Sequence, residues 1–206
     1  MPASAVTTPA PAKPALWFVD TSSLLSLAAD DNLRQTVQGE LVSQRRVLLD
    51  VVVGELELLA SQGPPGIKDL AVAALRQLDW LGEPVDTDEL VAAERVVEIQ
   101  DIMRSGRSLR HPVEHWAESV IMAMAERLQQ MDPCMLCEDY NARVESLHHN
   151  LTPFSIHKLL ARMVQGDRLA ADNAVNFADA LQTAERGNDY TAGEFISGRL
   201  GRVGHP

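Results

Sequence analysis

The chain has 206 residues, 46% of them hydrophobic, with 29 acidic against 18 basic side chains and a formal net charge of −11. That length suits one sizeable core with extensions, not two large domains. Such acidity excludes collection of nucleic acid by a generally basic surface, and no run approaches the roughly 18 apolar residues of a membrane helix, so a soluble, cytoplasmic protein is expected.

Residues 1–14, MPASAVTTPAPAKP, are rich in Pro, Ala and Thr and lack the apolar run of a secretory signal. They read as a disordered arm. Leu16 to Val19 is the first predicted strand, and after Asp20 the segment TSSLLSLAADDNLRQTVQGEL reads as one helix, with Thr21 to Ser23 as its cap and Leu24, Leu25 and Leu27 on its apolar side. Arg46 to Leu49 is the second strand. It leads into the helix VVVGELELLASQ, stopped by Gly63-Pro64-Pro65-Gly66. A third helix, IKDLAVAALRQLDWL, ends near Gly82 ahead of a short third strand at Pro84-Val85. Asp88 to Met103 is helical, with Leu90, Val91, Val97, Ile99 and Ile102 as its apolar positions.

Beyond the loop RSGRSLRHP lies the amphipathic helix VEHWAESVIMAMAERLQQ, then PCMLC as a fourth strand and a fifth near Leu151-Thr152, closed by Pro153. Three helical segments follow, FSIHKLLARMVQG, LAADNAVNFADALQTAERG and TAGEFISGRL, the last with Thr191 and Glu194 at capping-box spacing. Short apolar runs alternating with amphipathic helices predict an α/β protein with a mainly parallel sheet. Cys134 and Cys137 read as buried core thiols, because strand positions three apart face opposite sides; with His148 and His149 their spacing matches no zinc pattern.

Four acids stand where apolar elements make a carboxylate costly or aim it at one sheet edge. Asp20 follows the apolar WFV and Asp139 closely follows MLC, so both lie beyond the carboxyl ends of strands, where open α/β sheets bind ligands. Glu55 lies in the helix after the second strand, again at that edge. Glu118 shares a helix face with Ile121, Met122 and Ala125, and a charge on such a stripe requires a partner or a metal. Four converging carboxylates repel one another unless a divalent cation sits among them, and oxygen-only ligands favour Mg²⁺ or Mn²⁺ over zinc. A phosphatase of the dehalogenase type needs an acid where Ser22 stands, and a receiver domain needs a late Lys where only Lys13, Lys68 and Lys158 exist in the chain.

The segments WFVDTSSLLSLA, VVVGELELLA, HWAESVIMAMAERL and MLCEDYNAR resemble, in chain order, the four acidic motifs of the PIN-domain nuclease family, which includes VapC-like ribonucleases. The resemblance covers residues 16 to about 153. It implies a three-layer sandwich around a parallel sheet of order 3-2-1-4-5, a catalytic domain over 15–153, and a helical extension over 154–206 packed on it. It also implies a Mg²⁺- or Mn²⁺-dependent endoribonuclease that hydrolyses RNA phosphodiester bonds with a metal-activated water. Asp20, Glu55, Glu118 and Asp139 would be the catalytic and metal-binding residues, with Thr21 and Ser22 as supporting hydroxyls beside the first; Glu114 and Glu138 are lower-ranked alternatives for the third and fourth acids.

Arg104, Arg107, Arg110 and His111 could grip phosphates or simply carry charge in a solvated loop. Arg143 is a second phosphate candidate, with a surface ion pair as its alternative, and His115 and Trp116 could stack on a base or pack. Within the nuclease reading the chain would be the toxin of a toxin-antitoxin pair, with an antitoxin protein and a second copy of the chain as partners. The alternative is a non-catalytic PIN-fold scaffold that binds RNA or regulates.

Overall fold

The computed structural model describes residues 13–105, 107, 114–188 and 190–200. Four short strands form one sheet: β1 (Ala15–Val19), β2 (Arg45–Val47), β3 (Asp132–Leu136) and β4 (Thr152–Phe154), in the order β2-β1-β3-β4 with every pairing parallel. Parallel neighbours need crossover connections, and helices supply them. These are α1 (Thr21–Leu27), α2 (Asp31–Leu41), α3 (Asp50–Gln62), α4 (Pro65–Leu75), α5 (Ala93–Arg104), α6 (Trp116–Ala125), α7 (Tyr140–Ser146), α8 (Ile156–Gln165), α9 (Ala171–Thr183) and α10 (Ala192–Ser197). The helices flank the sheet in an arrangement compatible with three layers. β1 and β3 are buried almost throughout, Phe18, Met135 and Leu136 completely, as expected of strands covered on both faces. No described helix is long and apolar enough to cross a membrane.

The sheet has four strands, not five, so its order differs from the expected 3-2-1-4-5. Pro84-Val85 supplies only an isolated parallel bridge, Val85 to Leu49, with Val85 N donating to Leu48 O at 2.9 Å. Gly82 at positive φ precedes it, and Pro84 has no N–H to extend a ladder. The single helix expected after Asp20 is two. Asp30 caps a new helix by accepting from Leu33 N at 2.7 Å, which breaks the chain between α1 and α2. The helix expected from Asp88 begins at Ala93, after a turn in which Leu90 N donates to Thr87 O. Its buried face is Val96, Ile99, Gln100 and Met103, while Leu90, Val97 and Ile102 are exposed. β4 runs through Pro153, which an edge strand tolerates, so the boundary expected between 153 and 154 falls inside a strand.

Of the expected N-terminal arm, residues 1–12 lie outside the described residues, whereas Lys13 donates to Gln129 O and Pro14 O accepts from Asp132 N. Thr191 and Glu194 form the expected capping box of α10. The helices after β4 bury Leu159, Leu160, Met163, Leu181 and Phe195.

Candidate metal centre

Register places the first two donors. Val19 pairs with Leu136 and the Asp20 amide donates to Leu136 O at 3.1 Å, so the residues that follow on the two strands, Asp20 and Cys137, emerge side by side at the carboxyl edge. The chain leaves β1 toward β2 on one side and later builds β3 and β4 on the other, so this pair sits where strand order reverses. α6 supplies the third donor. Glu118, in its first turn, brings a carboxylate oxygen so that one ligand atom each of Asp20, Glu118 and Cys137 lies within 4.8 Å of the other two. These three residues form a group that could hold a metal ion.

Asp20 is 1% exposed. It caps α1 by accepting from Ser23 N at 2.9 Å, and Ser22 Oγ lies 3.0 and 2.9 Å from its two oxygens. Burial, reinforced by the charge of Glu118, still pushes its pKa up to about 7. Glu55, midway along α3, accepts from Thr21 Oγ1 at 2.6 Å and from Ala117 N at 3.1 Å, which ties α1, α3 and α6 together. Burial, then Glu118 and Asp20, raise it to about 8. Burial and the same two acids hold the Cys137 thiol well above its ordinary value. Without a bound cation, then, the pocket retains protons where a divalent ion would let the groups ionise.

Asp139 stands outside the group of three. It caps α7 through Ala142 N at 2.8 Å and acts on the site electrostatically, through His115. Glu138 is turned elsewhere: its Oε1 accepts from Ile156 N at 2.7 Å and so anchors the start of α8, with burial raising its pKa. His115, at φ 61° just ahead of α6, has ring nitrogens 3.8 and 3.9 Å from Glu114 and Glu118, whose carboxylates raise its pKa. It therefore stands among acids and is not presented as a stacking platform. Thr21 and Ser22 hold Glu55 and Asp20 respectively, and Ser22 Oγ also accepts from Glu138 N at 2.9 Å.

The arginines divide. Arg104 is paired with Asp101 and donates to Gln100 O, so it is spent on its own helix. Arg107 is exposed and donates to Arg104 O at 3.2 Å. Arg110 and His111 lie outside the described residues. Arg143 makes no ion pair among the described residues. Its Nη1 donates to Cys137 O at 2.8 Å and braces the end of β3.

Two residues at the pocket were not singled out from the sequence. Cys137 is the buried core thiol expected, and in addition its sulfur faces Asp20 and lies 3.7 Å from Asp139 O. Its position directly beside Asp20 in the β1–β3 register was the available signal. The other is Arg186, whose Nη2 donates to Ser22 O at 2.7 Å. Nothing in its local sequence marks it. His149, whose spacing to the cysteines matches no zinc pattern, is bonded to Glu126 and Glu145 at 2.8 and 3.1 Å.

Comparison with known proteins gives no match: no family model, no curated protein and no solved structure matches the chain.

Proposed function

We propose that this chain is a metal-dependent endoribonuclease of PIN-domain type, working at the carboxyl edge of β1 and β3. One observation carries the reading: Asp20, Glu118 and Cys137 converge to within 4.8 Å at the strand-order reversal, with Glu55 tied to the same spot through Thr21 and Ala117. Charged groups so buried and so close are costly without a cation, and oxygen-rich donors suit Mg²⁺ or Mn²⁺, with the sulfur of Cys137 weighing toward Mn²⁺. Bound there, a divalent ion supplies charge neutralisation at a phosphate and a water of lowered pKa.

The chain's own residues do the rest. Asp20 and Glu118 hold the ion, and Ser22 and Ser23 N fix the rotamer of Asp20. Glu55, already accepting two hydrogen bonds, orients the first turn of α6 and with it Glu118. Asp139, held as the cap of α7 two residues after Cys137, would be the carboxylate that accepts a proton from an attacking water. Arg107, exposed among the described residues of the loop, would make the phosphate contact. A role as the toxin of a toxin-antitoxin pair, with an antitoxin protein and a second copy as partners, belongs to the same proposal.

The engagement of Arg104 and Arg143 within the chain favours a second reading, a metal-binding scaffold that does not cut RNA. One experiment separates the two. Incubated with a labelled single-stranded RNA, the purified chain cleaves it in Mn²⁺ and not in EDTA if it is a nuclease. Mn²⁺ binding without cleavage supports the scaffold, and equal cleavage in Mn²⁺ and EDTA removes both.

A further inference from the structure

Arg186 reaches the acidic pocket from a position 164 residues away from the backbone carbonyl it binds. The turn that delivers it is tightly specified. After α9, Glu185 adopts a left-handed conformation at φ 56°, and the Arg186 amide donates to Leu181 O at 2.7 Å, closing the helix end. Gly187 follows because nothing larger fits: a Cβ there would lie 2.8 Å from Leu181 and 2.9 Å from the His157 ring. The Arg186 side chain lies against α1, where Nη2 donates to Ser22 O at 2.7 Å and Nε to Ser26 Oγ at 3.2 Å. Ser26 Oγ in turn donates to Ser22 O, so both acceptors belong to one small network.

Ser22 is the hub of the pocket. Its hydroxyl touches both oxygens of Asp20 and accepts from Glu138 N, which joins the end of β1 to the end of β3. Arg186 grips the backbone of that same residue. No described carboxylate lies within ion-pair distance of its guanidinium, yet its charge faces both Glu138 and Asp20 and favours their ionised forms. A planar fork serving two acceptors one helical turn apart is something a lysine cannot reproduce.

We infer that Arg186 is a positioning residue for the acidic pocket: it clamps the first turns of α1, so that Ser22 and Asp20 hold their places, and the helices after β4 are thereby part of the site. The metal-affinity consequence rests on the proposed function above; the clamp itself does not.

The test compares Arg186→Met and Arg186→Lys with Phe195→Ala, a packing control in α10 that meets Tyr190 edge to face. Amide hydrogen exchange is measured in the metal-free protein, and Mn²⁺ affinity by titration. Losing charged hydrogen bonds should raise exchange at Ser23 and Glu138 by about tenfold in Arg186→Met, and by a smaller factor in Arg186→Lys. Phe195→Ala should loosen α8 to α10 while leaving Ser23 and Glu138 protected. The apparent Mn²⁺ Kd should weaken about tenfold in Arg186→Met, with partial recovery in Arg186→Lys. Unchanged exchange at Ser23 and Glu138 in Arg186→Met overturns the inference, and if that variant does not fold, unchanged exchange in Arg186→Lys does so. Wild-type protein that binds no Mn²⁺, alongside the predicted exchange pattern, removes the metal reading and leaves the clamp standing.

Discussion

The carboxylates at the two ends of α6 meet opposite surroundings. At its C-terminal end, Glu126 accepts from Arg95 at 3.1 and 2.6 Å and bonds His149 at 2.8 Å; these partners lower its pKa. At its start, Glu118 faces Asp20 and Glu55, and the raised values of those two record burial without a matching cation. One end is a hydrogen-bonded network in which Arg95 and His149 face Glu98, Glu126 and Glu145, joining α5, α6 and the end of α7. The other is a pocket of buried acids that could hold a metal ion. Acidic residues on one helix thus differ according to what faces them, not according to residue type.

The largest effect that should follow from this contrast is on RNA cleavage. Asp20→Asn removes a charged donor at the pocket and should lower Mn²⁺-dependent cleavage by roughly 100-fold or more, whereas Glu126→Gln at the far end should leave it within about twofold. Initial rates on one labelled RNA check both, and similar losses in the two variants would erase the distinction.

Next comes the dependence of stability on pH. A carboxyl whose folded value is raised holds its proton more tightly in the folded chain than in the unfolded one. The stability it confers is complete below the unfolded value and is lost as pH climbs through the folded one. With Asp20 at about 7 and Glu55 at about 8, the melting temperature of the metal-free protein should fall by several degrees between about pH 5 and pH 8. Mn²⁺ should cancel the fall, since it binds the ionised groups. A metal-free melting temperature that rises over that window would contradict the environment described for both acids.

The smallest effect belongs to the satisfied end. Glu126 is partly exposed, so Glu126→Gln should cost about 1 kcal/mol, or roughly 2–4 °C in melting temperature. Because its pKa is lowered, that contribution is present above the unfolded value and fades as acid protonates it. Thermal melts at neutral and acid pH show whether the cost disappears in acid.

The pocket end of this contrast was legible in the sequence. Asp20 and Glu118 stand out because an apolar strand and an apolar helix stripe make their charges conspicuous, and both reach the pocket. What stayed hidden depends on relations between segments. Cys137 joins Asp20 only because Val19 pairs with Leu136, and strand parity within MLC alone says nothing of the neighbouring strand. Arg186 reads as one more charge near a helix end until the turn at Glu185 aims it at α1. Asp139 was rightly marked as lying beyond a strand, but its side chain is engaged in capping α7. The third expected strand shrank to one bridge because Pro84 ends its hydrogen bonding, and the break between α1 and α2 follows from Asp30, which accepts from Leu33 N and starts a new helix.

On the proposed reading, Asp20, Glu118 and Cys137, with Glu55 beside them, tolerate each other through a shared divalent cation. Equilibrium binding of Mn²⁺, followed by its paramagnetic resonance signal at about pH 8 and again at about pH 5, tests this most directly. The wild-type chain should bind one ion per pocket at the higher pH and release it on acidification, while Asp20→Asn binds none at either. Wild-type protein that leaves Mn²⁺ free at the higher pH, or an Asp20→Asn variant that binds as tightly as wild type, would contradict it.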